Sequence, residues 1–216
     1  MIKCGALRQL ILFTGPEGSG KTTIAFEIAK TVYKGRSKIV RIRGSHTLAY
    51  IFIKFLRDVI GLRGSDLHFY RVRIPEGLLR LWIAIEALSI VPLLILYYYL
   101  FRLKYTVISE RSILDVLVWI LTGVRKPPKY FLRSFFIRLL ILLSYRYRRV
   151  TFYITADKEV LLNRKPLENF LIAPMLPYYN ALARSLGIKR IDTGVLSVDE
   201  SVDAVLEALN SVKDPQ

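Results

Sequence analysis

The stretch "LILFTGPEGSGKTTIAFEIA", residues 10–29, decides how the rest of the chain is read. An unbroken apolar run ends at Thr14. A loop carrying Gly15, Gly18 and Gly20 follows, then Lys21-Thr22-Thr23 and a segment with helical spacing. Gly15 to Thr22 matches G-x-x-x-x-G-K-[ST] in full, in the strand–loop–helix context that gives the pattern its meaning. Glycines let backbone N–H groups wrap a phosphate, and the helix N-terminus adds partial positive charge. Lys21 then reaches the β- and γ-phosphates, and the Thr22 hydroxyl can ligate Mg2+. The expected ATP site is Gly15, Pro16, Glu17, Gly18, Ser19, Gly20, Lys21, Thr22 and Thr23.

The totals narrow the class. With 216 residues, 53% of them hydrophobic, the chain suits one globular domain with a sizeable core. A single cysteine, Cys4, excludes an intrachain disulfide and most cysteine-based metal sites. Residues 1–10 are too short and mixed for a secretory signal, and a cytoplasmic location is expected. Net charge is +16, unevenly spread. Residues 191–216 hold six acids and one base, which leaves +21 on residues 1–190. Such a field attracts nucleotides, nucleic acid or an acidic membrane surface. Nucleic acid is the least favoured, since no aromatic-interleaved basic repeat or nucleic-acid module is present.

Apolar runs alternate with helix-length segments. Strands are expected over 9–14, 38–43, 105–109, 150–155 and 189–192. Helices are expected over 21–33, 48–59, 76–101, 113–122, 129–147, 158–163, 177–186 and 197–212. This alternation reads as an α/β fold, a parallel sheet covered on both faces. Loops are expected at 61–66 and 122–129. Residues 81–101 are long and apolar enough to cross a bilayer. A single crossing would separate Lys21 from the strand at 105–109, so a buried helix or contact surface is favoured. Residues 129–149 place Arg133 and Arg138 among large apolar residues. That segment reads as a core or dimer-contact helix, or as one resting on an anionic membrane surface.

The second informative stretch is "YTVISERSILDVLVW", residues 105–119. A β-branched run ends in Glu110-Arg111. An acid at a strand end beside a phosphate loop can hold Mg2+ through water or orient an acceptor. The neighbouring Arg111 can bridge donor and acceptor phosphates. Asp115, one helical turn on, can face the same pocket.

On these residues the chain resembles the thymidylate kinase branch of the P-loop nucleoside monophosphate kinases, over nearly its whole length. The resemblance implies a three-layer P-loop kinase fold with a five-stranded parallel sheet and helices on both faces. It implies one domain over 1–216, with a short lid at about 161–174. Glu110 and Arg111 carry over as the acceptor-site acid and the phosphate-bridging arginine, although the Glu-Arg-Ser form of 110–112 is also similar to the deoxyribonucleoside kinases. Arg43, from "VRIRG", is implied at the acceptor phosphate, while the Glu-Pro that follows in the family is missing here. Arg164 is the lid-like candidate for the transferred group, with Lys165 beside it. Glu86, within the long apolar helix that also carries Arg80, is a further acceptor-side candidate. Asp192 and Thr193 are placed near the base. His46 reads as a structural loop residue, and Ser197 with Glu200 as a capping box.

The expected activity is phosphoryl transfer from ATP, with Mg2+, to a nucleoside monophosphate, dTMP being the family's acceptor. The expected catalytic set is Lys21, Glu110, Arg111 and Arg164, with Thr22 and Glu110 at the metal. The acceptor set is Arg43, Glu86, Arg111 and Asp115. A homodimer and a peripheral membrane contact are the expected partners beyond the nucleotide. A different, membrane-associated acceptor and a non-catalytic NTP switch are the alternatives.

Overall fold

The computed structural model describes residues 9–42, 48–62, 64, 72, 74–124 and 128–213. Strand β1 (Leu10–Thr14) is buried along its whole length and lies at the centre of the sheet. An apolar run without alternation is what a strand covered on both faces requires. Leu10 and Leu12 enter the core on one face, Ile11 and Phe13 the core on the other, as the two-residue period dictates.

Around it stand helix α1 (Lys21–Thr31), β2 (Ser37–Val40), α2 (Leu48–Asp58), α3 (Glu76–Leu103), β3 (Thr106–Ser109) and α4 (Ile113–Val124). Then come a helical turn at Pro128–Leu132, α5 (Phe135–Arg146), β4 (Thr151–Thr155), α6 (Lys158–Arg164), α7 (Asn169–Leu186), β5 (Lys189–Asp192) and α8 (Val198–Lys213). All five strands are parallel, in the order β2-β3-β1-β4-β5. Helices α1 and α8 cover one face; α2, α3, α4, α5 and α7 cover the other. The expected α/β fold, a five-stranded parallel sheet with helices on both faces, is the fold observed. This order brings the C-terminal ends of β1 and β3 side by side, with Leu12 opposite Ser109.

The long apolar segment is α3. Its inner side, with Trp82, Ile83, Glu86 and Ile90, is buried in the main core. It is long and apolar enough to cross a bilayer, but 44% of its most apolar stretch is buried inside the protein. The run passes through Pro92 and widens into a π-helical segment at Ile95–Leu100. It then returns the chain to β3, in the middle of the sheet.

Several expected boundaries move. The single helix expected over 129–147 is broken at Ser134, whose extended backbone (φ −82°, ψ 123°) starts α5 afresh. The helix expected from Pro177 starts eight residues earlier, at Asn169, and runs through both Pro174 and Pro177. Interior prolines each remove a helical hydrogen bond. Burial of Leu171, Ile172, Tyr179 and Ala183 on one side of α7 offsets that loss. The segment expected as a lid, 161–174, is the end of α6, a short turn at Pro166–Glu168 and the start of α7. Strand β2 stops at Val40 rather than at 43. In the loop expected over 122–129, helix α4 persists to Val124 and helix resumes at Pro128.

Candidate functional site

The glycines of the loop after β1 do what the spacing requires. Gly15 has φ 141°, and a Cβ there would lie 2.0 Å from the Ile154 carbonyl oxygen of β4. No other residue fits between the two strand ends. Gly18 and Gly20 adopt left-handed conformations, and Gly20 forms the N-cap of α1. The Ser19 hydroxyl donates to the Pro16 carbonyl at 2.8 Å. The Lys21 ammonium donates to the same carbonyl and to Ser19 Oγ, the latter at 3.0 Å. Lys21 is 5% exposed. Burial, then the nearby Arg111 charge, lowers its pKa to about 7, against the pull of Asp115, Glu17 and Glu110. Thr22 and Thr23 are exposed on the first turn of α1.

The end of β3 supplies the second half. Arg111 donates through Nη1 to Asp115 Oδ1 at 3.1 Å and to the Gly15 carbonyl at 3.3 Å. Its Nη2 pairs with Glu17 in the phosphate loop. Burial works against the guanidinium charge. Asp115, Tyr179 and Glu17 outweigh it and raise the pKa above the ordinary arginine value. Asp115 accepts from the Ser112 amide at 2.7 Å and from the Tyr179 hydroxyl at 2.8 Å. The Gly15 amide points to its Oδ1 at 3.4 Å. One carboxylate thus ties the phosphate loop, the β3 end and α7 around one arginine. Glu110, just past the end of β3, accepts from Arg41 Nε at 2.9 Å and also pairs with Arg41 Nη2.

Lys21, Glu17, Glu110, Arg111 and Asp115 are therefore in one electrostatic neighbourhood. Arg164 belongs to another. It donates to Thr193 Oγ1 at 3.0 Å, to the Thr193 carbonyl at 2.8 Å and to the Gly18 carbonyl at 3.4 Å. With Gly20, Thr23, Thr193, Leu196 and Val198 it lines a pocket of about 370 Å3 beside the first turn of α1. Lys165 lies against Gly18. Glu86 is buried on α3, and Arg80 is exposed. Asp192 accepts from Arg190 at 2.6 Å and from the Gly194 amide at 3.0 Å. Ser197 and Glu200 form the expected capping box, at 2.8 and 3.3 Å. Arg43 and His46 lie outside the described residues.

Two members of the site have no motif of their own. Arg41 follows β2, and the parallel register of Val40 with Ser109 carries it to Glu110; the strand expected over 38–43 runs past it, so no strand end marks it in the sequence. Tyr179 lies on the buried side of α7, stacked on Tyr153 at 6.0 Å, and nothing near it in sequence marks it. Among the described residues no cluster of three or more His, Cys, Asp or Glu side chains is placed to hold a metal. Mg2+ carried by nucleotide phosphates needs few protein donors, and the hard oxygens of Thr22 and Glu110 fit that requirement.

No protein-family model and no curated protein matches the chain. Solved structures do. Thymidylate kinase from Candida albicans is similar over 95% of this chain and 92% of its own, with 15% identity and a TM-score of 0.58. The YorR protein of Bacillus subtilis, in complex with phosphorylated GDP, is similar over 96% of this chain and 100% of its own, at 15% identity and a TM-score of 0.53. Deoxyadenosine kinase from M. mycoides, with bound dCTP, is similar over 94% of this chain and 100% of its own, at 15% identity and a TM-score of 0.52. At such identity the likeness is one of architecture, and it agrees with the sheet order and the phosphate loop: the chain has the thymidylate kinase-like P-loop kinase fold.

Proposed function

We propose that the protein is an ATP- and Mg2+-dependent phosphotransferase that moves the γ-phosphoryl group to a nucleotide or nucleoside acceptor, with dTMP as the first candidate. The observation that carries this reading is the position of Arg111. Its guanidinium joins the phosphate loop, through Gly15 and Glu17, to the β3 end, through Asp115. A cation there faces donor and acceptor phosphates together, where charge spreads in a loose phosphoryl-transfer transition state.

The remaining roles follow from chemistry. The amides of residues 18–22 cradle the donor phosphates. Lys21, near neutral pKa within its buried loop, regains full charge beside a phosphate dianion and holds the β- and γ-oxygens. Thr22 and Glu110 would hold Mg2+, and the bound ion would neutralise charge on those oxygens. Glu110 orients the acceptor, with Arg41 fixing its carboxylate. Arg164 and Thr193 border the nucleoside of the donor, in the pocket beside α1.

The acceptor set extends beyond monophosphates. The Glu110-Arg111-Ser112 sequence resembles deoxyribonucleoside kinases as well, and deoxyadenosine kinase is among the structures of like fold. Coupled ADP release, measured with the four deoxynucleoside monophosphates and the four deoxynucleosides, tests the proposal. Acceptor-dependent ADP formation with at least one of them is expected. Folded, ATP-binding protein that turns over none of them refutes it.

A further inference from the structure

Three neighbouring helices on one side of the sheet carry large apolar side chains that face away from the core. On α3 they are Leu81, Leu88, Val91, Ile95 and Tyr99, all exposed. Steps of seven, three, four and four residues keep them on one side of a helix. That row is about 27 Å long at the helical rise. On α5, Phe135, Leu142 and Tyr145 are 70%, 63% and 50% exposed, and α2 adds Ile51 and Phe55. Helix α3 packs against both α2 and α5. The Tyr99 hydroxyl meets that of Tyr147 at 3.2 Å, next to the last turn of α5. Single exposed apolar residues are ordinary on a soluble protein; rows on three adjoining helices are not.

Basic residues outnumber acids on these three helices: Lys54, Arg57, Arg80, Arg102, Arg138 and Arg146 stand against Asp58, Glu76 and the buried Glu86. Residues 116–156 hold eight Lys and Arg and no acid. Exposed Arg138, Arg146 and Arg149 alternate with the apolar residues along and just beyond α5. Lys54 on α2 and Lys104 just past α3 are exposed as well. The acid on α2, Asp58, is paired with Arg57 at 2.7 Å.

Apolar rows interleaved with cations select the occupant. A second copy of this chain would bring the same cations, and a twofold contact sets like charge against like. An anionic bilayer surface accepts both features: its interface takes apolar side chains and its headgroups take cations. We propose that the α2–α3–α5 face docks on an anionic lipid surface. Helix α3 lies along that surface and does not cross it, because its inner side is fixed in the core by Trp82, Ile83 and Ile90. This inference stands on the surface and not on the kinase reading, so the two fail separately.

The test is sedimentation of the full chain with vesicles of phosphatidylcholine alone, and with an equal mixture of phosphatidylcholine and phosphatidylserine. Analytical ultracentrifugation without lipid accompanies it. The expected result is a monomer that sediments with the anionic vesicles, not with the neutral ones, and is released by high salt. Arg146→Glu with Arg149→Glu is expected to weaken binding by at least about tenfold, since each basic residue at such a surface is worth about fivefold. Leu88→Gln with Leu142→Gln is expected to weaken it too, with the melting temperature kept because both side chains are in solvent. If the leucine pair lowers the melting temperature, the arginine pair decides. A lipid-free dimer that binds no vesicles overturns the proposal. Equal binding to neutral and anionic vesicles, or a monomer that binds neither, overturns it as well.

Discussion

A single guanidinium, that of Arg111, joins the phosphate loop to the end of β3. Replacing it with alanine should leave ATP binding within a few-fold and lower kcat by about 10³, the lower end of what a transition-state arginine supplies. Lysine should not restore the rate, because it offers no fork to bridge Asp115, Glu17 and a phosphate. Steady-state kinetics beside ATP titration checks both statements. On the proposed mechanism Tyr179 acts one step removed, as a positioning residue. Tyr179→Phe removes the 2.8 Å hydrogen bond to Asp115 and should cost about 1 kcal/mol of stability. Its distinguishing sign is a fall in kcat with an unchanged KM for ATP, which a purely structural loss does not produce. Lys21 yields a pH prediction. Burial holds its folded pKa near 7, below the ordinary lysine value of 10.5. Between those values the unfolded chain keeps a proton that the folded chain has released, so stability rises with pH across that window. Below about pH 7 both states carry the charge, and the slope vanishes. Lys21→Met should therefore melt higher than the wild type near pH 7, with the gap shrinking as pH rises. Paired thermal melts across the window measure it.

At the scale of elements, the site is a meeting of strand ends that tolerates no side chain at Gly15. Gly15→Ala drives a Cβ into the Ile154 carbonyl at a φ that alanine resists. It should destabilise the fold by about 3 kcal/mol or more, read by denaturant unfolding. The elements that build this meeting were open to sequence reasoning for physical reasons. Strand β1 is buried on both faces, so its residues are apolar without interruption, and the glycines after it mark backbone that nothing else can adopt. Strand β3 ends where its apolar run gives way to the polar residues Ser109, Glu110, Arg111 and Ser112. The break at Ser134 and the early start of α7 were not legible. Both depend on packing: α7 keeps its helix through two prolines because its buried side lies on the core, a fact no local propensity contains. Tyr179 was hidden for the same reason, since its partner Asp115 is 64 residues away and meets it only once α7 crosses α4. Arg164 was legible as a lid-like arginine, while its bonds to Thr193, 29 residues away, depend on the fold.

Across the whole molecule, the sheet order sets the division of labour. The Lys21–Arg111 neighbourhood and the Arg164–Thr193 pocket are both anchored on the one glycine-rich loop, at Gly15 and at Gly18. ATP that fills both should stabilise the fold by about 2.7 kcal/mol at a hundredfold excess over Kd, a rise of roughly 5–10 °C in Tm for a chain of this size. Arg164→Ala should shrink that rise by weakening ATP binding, while Arg111→Ala should not. Thermal shift with and without ATP separates the two neighbourhoods. The most direct measurement is the fate of labelled γ-phosphoryl from ATP incubated with Mg2+, the protein and the acceptor panel. Label on a nucleotide product, lost in Arg111→Ala while ATP still binds, is the predicted result. Label released only as inorganic phosphate, or label that never leaves ATP, would contradict phosphoryl transfer at this site.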